Sequence, residues 1–119
     1  MERLFNSWRI EFFKLKNGRA PVLEYLEELD ERYRAKVVAH IELLREKGGH
    51  LYEPYAKHIK GPLWELRIDF GRLASRIFYL LGPQKMIVLL HAFMKKTQKT
   101  PRREIETALR YLIEYNEMK

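Results

Sequence analysis

The sequence predicts an α+β layer fold in which helices pack against a small, mostly antiparallel sheet, in the order β-α-α-β-β-β-α. Three observations predict it. Apolar and polar residues alternate with period two in two separate stretches. Apolar residues recur at three- and four-residue intervals in three others. Glycine and proline stand at the joints between them. With 119 residues, one domain spanning 1–119 is expected, large enough to build a core without staples.

The elements follow in order. Ser7 to Leu15 sets Trp8, Ile10 and Phe12 against Arg9 and Glu11, the pattern of a half-buried strand, and Gly18 ends it. Pro21 suits the first turn of a helix whose Val22, Leu23, Leu26 and Leu29 keep helical spacing. A second helix from about Glu31 stacks Tyr33, Val37, Ile41 and Leu44 on one face, and Gly48-Gly49 supplies its stop. So short a connection predicts a helical hairpin. Residues 49–62 read as a loop with short extended pieces.

Leu63 to Phe70 places Trp64, Leu66, Ile68 and Phe70 on one face and Glu65, Arg67 and Asp69 on the other. Gly71 turns the chain into Arg72–Leu81, rich in β-formers, which ends at the turn composition Gly82-Pro83-Gln84. Met86 to Met94 is nearly all apolar, as a strand covered on both faces must be. Three such strands joined by tight turns form an antiparallel meander. Thr100-Pro101 reads as a cap and first-turn proline for a last helix, with Ile105, Ala108, Leu109 and Leu112 on its buried face.

Composition narrows the class. At 46% hydrophobic and 33% charged, the chain is neither disordered nor fibrous. The absence of cysteine removes disulfides, thiolate metal sites and cysteine nucleophiles, and fits a reducing cytoplasm. The longest apolar run is too short to cross a bilayer. Met1-Glu2-Arg3-Leu4-Phe5-Asn6 lacks the charged-then-apolar pattern of a signal peptide. A cytoplasmic protein without membrane contact is expected.

Net charge is +7, and its distribution is uneven. Eight of the 23 basic residues and none of the 16 acidic ones fall between Phe70 and Arg103: Arg72, Arg76, Lys85, Lys95, Lys96, Lys99, Arg102 and Arg103. The remainder carries 15 against 16, so this stretch holds the whole excess. Concentrated positive charge suits a polyanion, because each phosphate neutralised releases condensed counterions; a merely solvated basic face is the alternative. Arg102 and Arg103 occupy the first turn of the last helix, where the macrodipole disfavours cations, so they point either to a phosphate or into water. Arg67 and Arg76, on adjacent strands, could form a fork for a phosphodiester or pair with Glu65, Asp69 or a helix carboxylate.

Other chemistry finds less support. His40, His50, His58 and His91 show no metal spacing. His91 alone adjoins the basic segment, where it would either transfer a proton or pack with a hydrogen bond. Ser75 lacks histidine and aspartate partners, no glycine-rich phosphate loop is present, and Glu27/Glu28 and Asp30/Glu31 read as solvated helix faces. No cofactor is expected.

One set of motifs is specific. Trp64-Glu65-Leu66-Arg67, Asp69-Phe70-Gly71, Arg76-Ile77-Phe78-Tyr79 and Phe93-Met94-Lys95-Lys96-Thr97-Gln98-Lys99-Thr100-Pro101, followed by Glu104-Ile105, resemble the phage-derived, HigB-type branch of the RelE/ParE toxin superfamily. The resemblance covers nearly the whole chain, including its element order. It implies a small basic toxin of a type II toxin–antitoxin module, restrained by a helix-turn-helix, HigA-like antitoxin and acting as a metal-free endoribonuclease on ribosome-bound mRNA. Attack of the 2′-hydroxyl on the adjacent phosphate would be assisted by cations, in keeping with a stretch lacking acids. By position, Arg76 looks like the arginine that grips the scissile phosphate, Lys95 and Lys96 like the basic pair after the last strand, Arg67 like their support, and His91 like a proton-transfer group. Arg72, Phe93, Lys99, Arg102 and Arg103 would contact RNA, Phe93 either by stacking on a base or by packing in the core. Two alternatives stand beside this reading: a ParE-like topoisomerase inhibitor without catalysis, and an inactive nucleic-acid-binding prophage remnant.

Overall fold

The computed structural model describes residues 7–118; the N-terminal segment read above for a leader pattern lies outside the described residues. The elements are β1 (Arg9–Phe12), α1 (Pro21–Glu28), α2 (Glu31–Glu46), β2 (Ala56–Lys60), β3 (Leu63–Phe70), β4 (Leu73–Gly82), β5 (Met86–Met94) and α3 (Arg102–Glu117). The five strands form one sheet in the order β1-β5-β4-β3-β2. Only β1 runs parallel to its neighbour; the β2-β3-β4-β5 pairings are antiparallel. The expected α+β architecture is present, with one strand more than the sequence order gave.

That strand is β2, inside the stretch expected as a loop with short extended pieces. It pairs through Ala56 with Leu66 and through His58 with Trp64. Lying at the sheet's edge, it bonds on one side only, so its Lys57, His58 and Lys60 face solvent and blur the alternation that marks a strand. At the other edge, β1 is shorter than the expected Ser7–Leu15 and pairs from Arg9–Met86 to Phe12–Leu89. Immediately beyond Leu89, β5 carries a bulge: Phe78 pairs with His91 but Tyr79 with Leu89, so Leu90 is extra.

Each face of the sheet has its own core. The α1–α2 hairpin covers one face with Val22, Leu26, Tyr33, Val37, Ile41 and Leu44, against Leu66, Ile68, Ile77, Tyr79, Ile87 and Leu89. The hairpin is tight because Arg34 of α2 donates to the carbonyls of Leu26 (2.7 Å) and Leu29 (2.7 Å) at the end of α1, the first of which also accepts from the Leu29 amide. Asp30 caps α2 by accepting from the Tyr33 amide. The chain leaves α2 through Gly48 and Gly49; at φ +80° Gly49 adopts the left-handed conformation that favours glycine, and a Cβ there would meet Leu81 Cδ2 at 2.2 Å.

Helix α3 covers the opposite face with Ala108, Leu112 and Tyr115, against Leu63, Phe78, Leu80, Val88, Leu90 and Phe93. Its cover ends at Phe93. On the same face, the next positions toward the Phe70–Leu73 turn are Arg67, Asp69, Ala74, Arg76 and Lys95. This uncovered end of the sheet holds the candidate site.

Candidate functional site

Sheet register places two arginines face to face: Arg67 of β3 is directly opposite Arg76 of β4, which in turn faces Phe93 of β5. Like charges at paired positions oppose strand pairing, yet Arg76 is only 5% exposed. Its Nη1 donates to Asp69 Oδ1 (3.0 Å) and to the Ser75 carbonyl (2.9 Å). Arg76 thus pairs with Asp69 and Arg67 with Glu65, the carboxylate pairing weighed against a phosphodiester fork, and each keeps a buried Nε donor without a hydrogen-bond partner.

Two residues past Phe93, Lys95 falls on the same face, and its amide extends the sheet by donating to the Ala74 carbonyl (2.7 Å). The Lys95 ammonium is held below the ordinary lysine range, first by desolvation and then by the Arg76 and Arg67 cations; Glu65 and Asp69 act in the opposite sense. An open cleft of about 490 Å³ runs beside these groups, lined by Asp69, Gly71, Arg72, Leu73, Ala74, Arg76 and the Lys95–Gln98 segment. Sequence reasoning named four of these as site residues: Arg72, Arg76, Lys95 and Lys96. Arg67 acts on the same cleft through its field at Lys95.

The remaining expected residues lie elsewhere. His91 sits behind Phe93: the bulge at Leu90 turns its ring onto the α3 face, parallel to Phe78 and Phe93 and edge-on to Tyr111. Its Nε2 lies 2.7 Å from Glu104 Oε1, and it does not line the cleft. Phe93 is a core residue, 8% exposed and stacked on Phe78, with little surface left to receive a base. Arg102 and Arg103 point into solvent, with side chains 91% and 82% exposed, each beside a glutamate of its own helix, Glu106 and Glu104. Of the two readings for this pair, the solvated one describes their geometry. Lys99 is exposed and lies outside the cleft lining.

Two further expectations are corrected. The site does not lack acids. Glu65 is buried at 1% exposure, with Oε1 3.4 Å from Arg67 Nε; that contact is an ion pair whose geometry falls short of a hydrogen bond. Asp69 binds Arg76, and Glu104 binds His91. Thr100 does not cap the last helix either: the cap position is Pro101, and the Thr100 hydroxyl donates instead to Glu65 Oε2 (2.7 Å).

Glu65 was the residue hardest to place from sequence, since alternation assigns it to a polar strand face. A usable signal existed one strand away. Every residue of Ile77–Leu81 is apolar, so both faces of β4 must be covered there, and Glu65 pairs with Phe78 within that span.

Among the described residues, no group of three His, Asp or Glu side chains is placed to hold a metal ion, and no helix is long and apolar enough to cross a membrane. No curated protein matches the chain. Residues 24–112, which include every site residue named above, match the model of the family described as phage-derived protein Gp49-like (DUF891). The fold and this match over most of the chain agree: the protein belongs to the Gp49-like phage-derived family, a RelE/HigB-like family of toxins.

Proposed function

We propose that this protein is the HigB-type toxin of a type II toxin–antitoxin module and cleaves mRNA on the ribosome without a metal. The observation that carries the reading is the cluster of Arg67, Arg76 and Lys95 at the uncovered end of the sheet, with the Lys95 pKa depressed by its surroundings. A topoisomerase inhibitor has no need of a desolvated phosphate grip, whereas a ribonuclease does.

In this reading the cleft takes one phosphodiester of the message. The 2′-oxygen forms a bond to phosphorus, the bond from phosphorus to the 5′-oxygen breaks, and the products carry a 2′,3′-cyclic phosphate and a 5′-hydroxyl. Arg76 binds the non-bridging oxygens and stabilises the charge that grows on them in the transition state. Arg67 reinforces that field from the facing strand. Lys95, its pKa displaced toward neutrality, handles one of the two protons, by removal from the 2′-hydroxyl or donation to the leaving 5′-oxygen, and the other exchanges with solvent water. Lys96 and Arg72 line the approach to the cleft and hold flanking phosphates. His91, tied to Glu104 behind Phe93, supports the site without touching substrate. The partner that restrains the toxin is a helix-turn-helix, HigA-like antitoxin, and both act in the cytoplasm.

The test is inducible expression in bacteria, with 5′ ends of RNA mapped on a message and on its untranslated counterpart. Cuts confined to the translated message, and lost in a folded Lys95→Ala/Lys96→Ala variant, are expected. Growth arrest with intact mRNA would overturn the reading in favour of topoisomerase inhibition. Neither arrest nor cuts would leave a binding remnant.

A further inference from the structure

Three polar or charged side chains are buried among the described residues: Glu65, Ser75 and Arg76. Ser75 is accounted for by the hydroxyls of Tyr25 and Tyr33, both within hydrogen-bond reach of its Oγ, and Arg76 by the phosphate grip. Glu65 has no part in the chemistry above. A buried carboxylate beside an arginine adds little net stability over an apolar pair, so stability is a weak reason for it to be there.

Its two oxygens face different elements. Oε1 lies against Arg67 on its own strand, while Oε2 accepts from Thr100, the last residue before the α3 cap. The segment between β5 and α3 carries Lys95, Lys96 and Lys99. It is fixed at one end by the Lys95 amide on Ala74 and at the other by Thr100 on Glu65. Thr100 stands beside helix amides that lack a side-chain cap, yet its hydroxyl is given to Glu65.

We propose that Glu65 is a positioning residue: by accepting from Thr100 and facing Arg67, it locks the Lys95–Pro101 segment and the Arg67 guanidinium into one arrangement around the cleft. This rests on the reading of the cleft as a phosphodiester site. Electrostatics supports it. Lys95 is faced by Glu65, Arg67 and Asp69 from β3 and by Arg76 from β4, and the two acids offset part of what the arginines do to its pKa. Removing the Glu65 charge therefore lowers the Lys95 pKa further.

The experiment uses Thr100→Val, which deletes the latch at constant shape, Thr100→Ser, which restores it, and Glu65→Gln, which keeps an acceptor for Thr100 but removes the charge. Purified proteins are read three ways: amide hydrogen exchange of residues 96–100, NMR titration of Lys95 Nζ, and the pH profile of cleavage on translated message. Thr100→Val should speed exchange at least tenfold and slow cleavage at least tenfold at every pH, with Thr100→Ser returning both toward wild type. Glu65→Gln should leave exchange within about threefold while moving the Lys95 titration, and whichever limb of the pH profile Lys95 sets, to lower pH. Unchanged exchange in a folded Thr100→Val, or an unmoved Lys95 titration in Glu65→Gln, would overturn the proposal. If the wild-type protein cuts nothing, the nuclease reading fails, while exchange and titration still decide the role of Glu65.

Discussion

Replacing Arg76 by methionine separates the chemistry of the site from the stability of the fold, because the buried guanidinium contributes to the two in different measure. On the stability side, the terms are small and of mixed sign. Arg76 stands directly opposite Arg67, and like charges at paired strand positions cost some tenths of a kcal/mol up to about 1. Its ion pair with Asp69 is worth less than about 1 kcal/mol, because the aspartate side chain is 69% exposed. The hydrogen bond to the Ser75 carbonyl contributes about 1 kcal/mol. Methionine retains the apolar stem, so these terms nearly offset, and the variant should melt within a few degrees of wild type.

The catalytic side is one-signed. A charged donor aimed at oxygens that gain charge in the transition state is worth about 3–4 kcal/mol, a factor of roughly 10²–10³ in rate. Arg76→Met should therefore lower the single-turnover rate of cyclic-phosphate formation on translated message by that factor. Arg76→Lys should restore only part of it, since a point charge cannot reproduce the fork. The Lys95 pKa should rise, because Arg76 is the largest charged contributor holding it down after desolvation. Cleavage within fivefold of wild type, in an Arg76→Met protein that melts normally, would refute the phosphate-grip assignment.

Three further predictions concern residues around this core. Ser75→Ala removes the atom that both Tyr25 and Tyr33 hydroxyls engage and leaves the buried Tyr33 unpaired; urea melts should show a loss of about 1–3 kcal/mol, and unchanged stability would mean that the hydroxyls find other partners. Burial pushes the Tyr79 phenol up to about 12, so the unfolded chain sheds this proton first as pH rises past about 10; stability should fall by up to ~1.4 kcal/mol per pH unit until the folded phenol ionises, and Tyr79→Phe should flatten part of that decline in melts between pH 9 and 12, burial of Tyr25 and Tyr33 sustaining the rest. Asp69→Asn withdraws a charge from Arg76 and should tighten binding of a short RNA severalfold by fluorescence anisotropy; weaker binding would make Asp69 an orienting group for Arg76 instead of a competitor for it.

What the sequence disclosed depended on how many neighbours each segment has. Leu63–Phe70 and Met86–Met94 are flanked on both sides within the sheet, and their apolar patterns follow from that burial. Strand β2 bonds along one edge only, and Ala56-Lys57-His58-Ile59-Lys60 is correspondingly free to be basic and strand-like at once. For the site, the basic cluster was legible because it is contiguous in the chain. Its counter-charges were not: Asp69 and Glu104 bound the acid-free stretch on either side, and Glu65 lies just before it. Reading 70–103 in isolation therefore gave a site without acids, and antiparallel pairing of β3 with β4 returned two carboxylates to it. His91 shows a related effect, since one extra residue at Leu90 decides which face its ring takes, and the spacing of apolar residues in β5 carries no mark of that bulge.

The two carboxylates that the sheet returns to the site differ in one decisive respect. Arg67, Arg76 and Lys95 crowd three positive charges onto one end of the sheet, and an uncompensated cluster of this kind opposes folding. Glu65 is buried at 1% exposure and accepts from Thr100. Asp69 is mostly in solvent, attached to the same Arg76 nitrogen that a phosphate would seek. On the proposed function, an arriving phosphodiester would displace Asp69 from Arg76, the aspartate side chain being 69% exposed. It cannot take the place of Glu65 without opening the loop that carries the lysines. Burial thus divides the compensation in two, a fixed part that holds the cations in position and an exchangeable part that occupies the grip until an anion arrives. On the proposed function, this division would let so basic a cleft be stable by itself and still admit an anion.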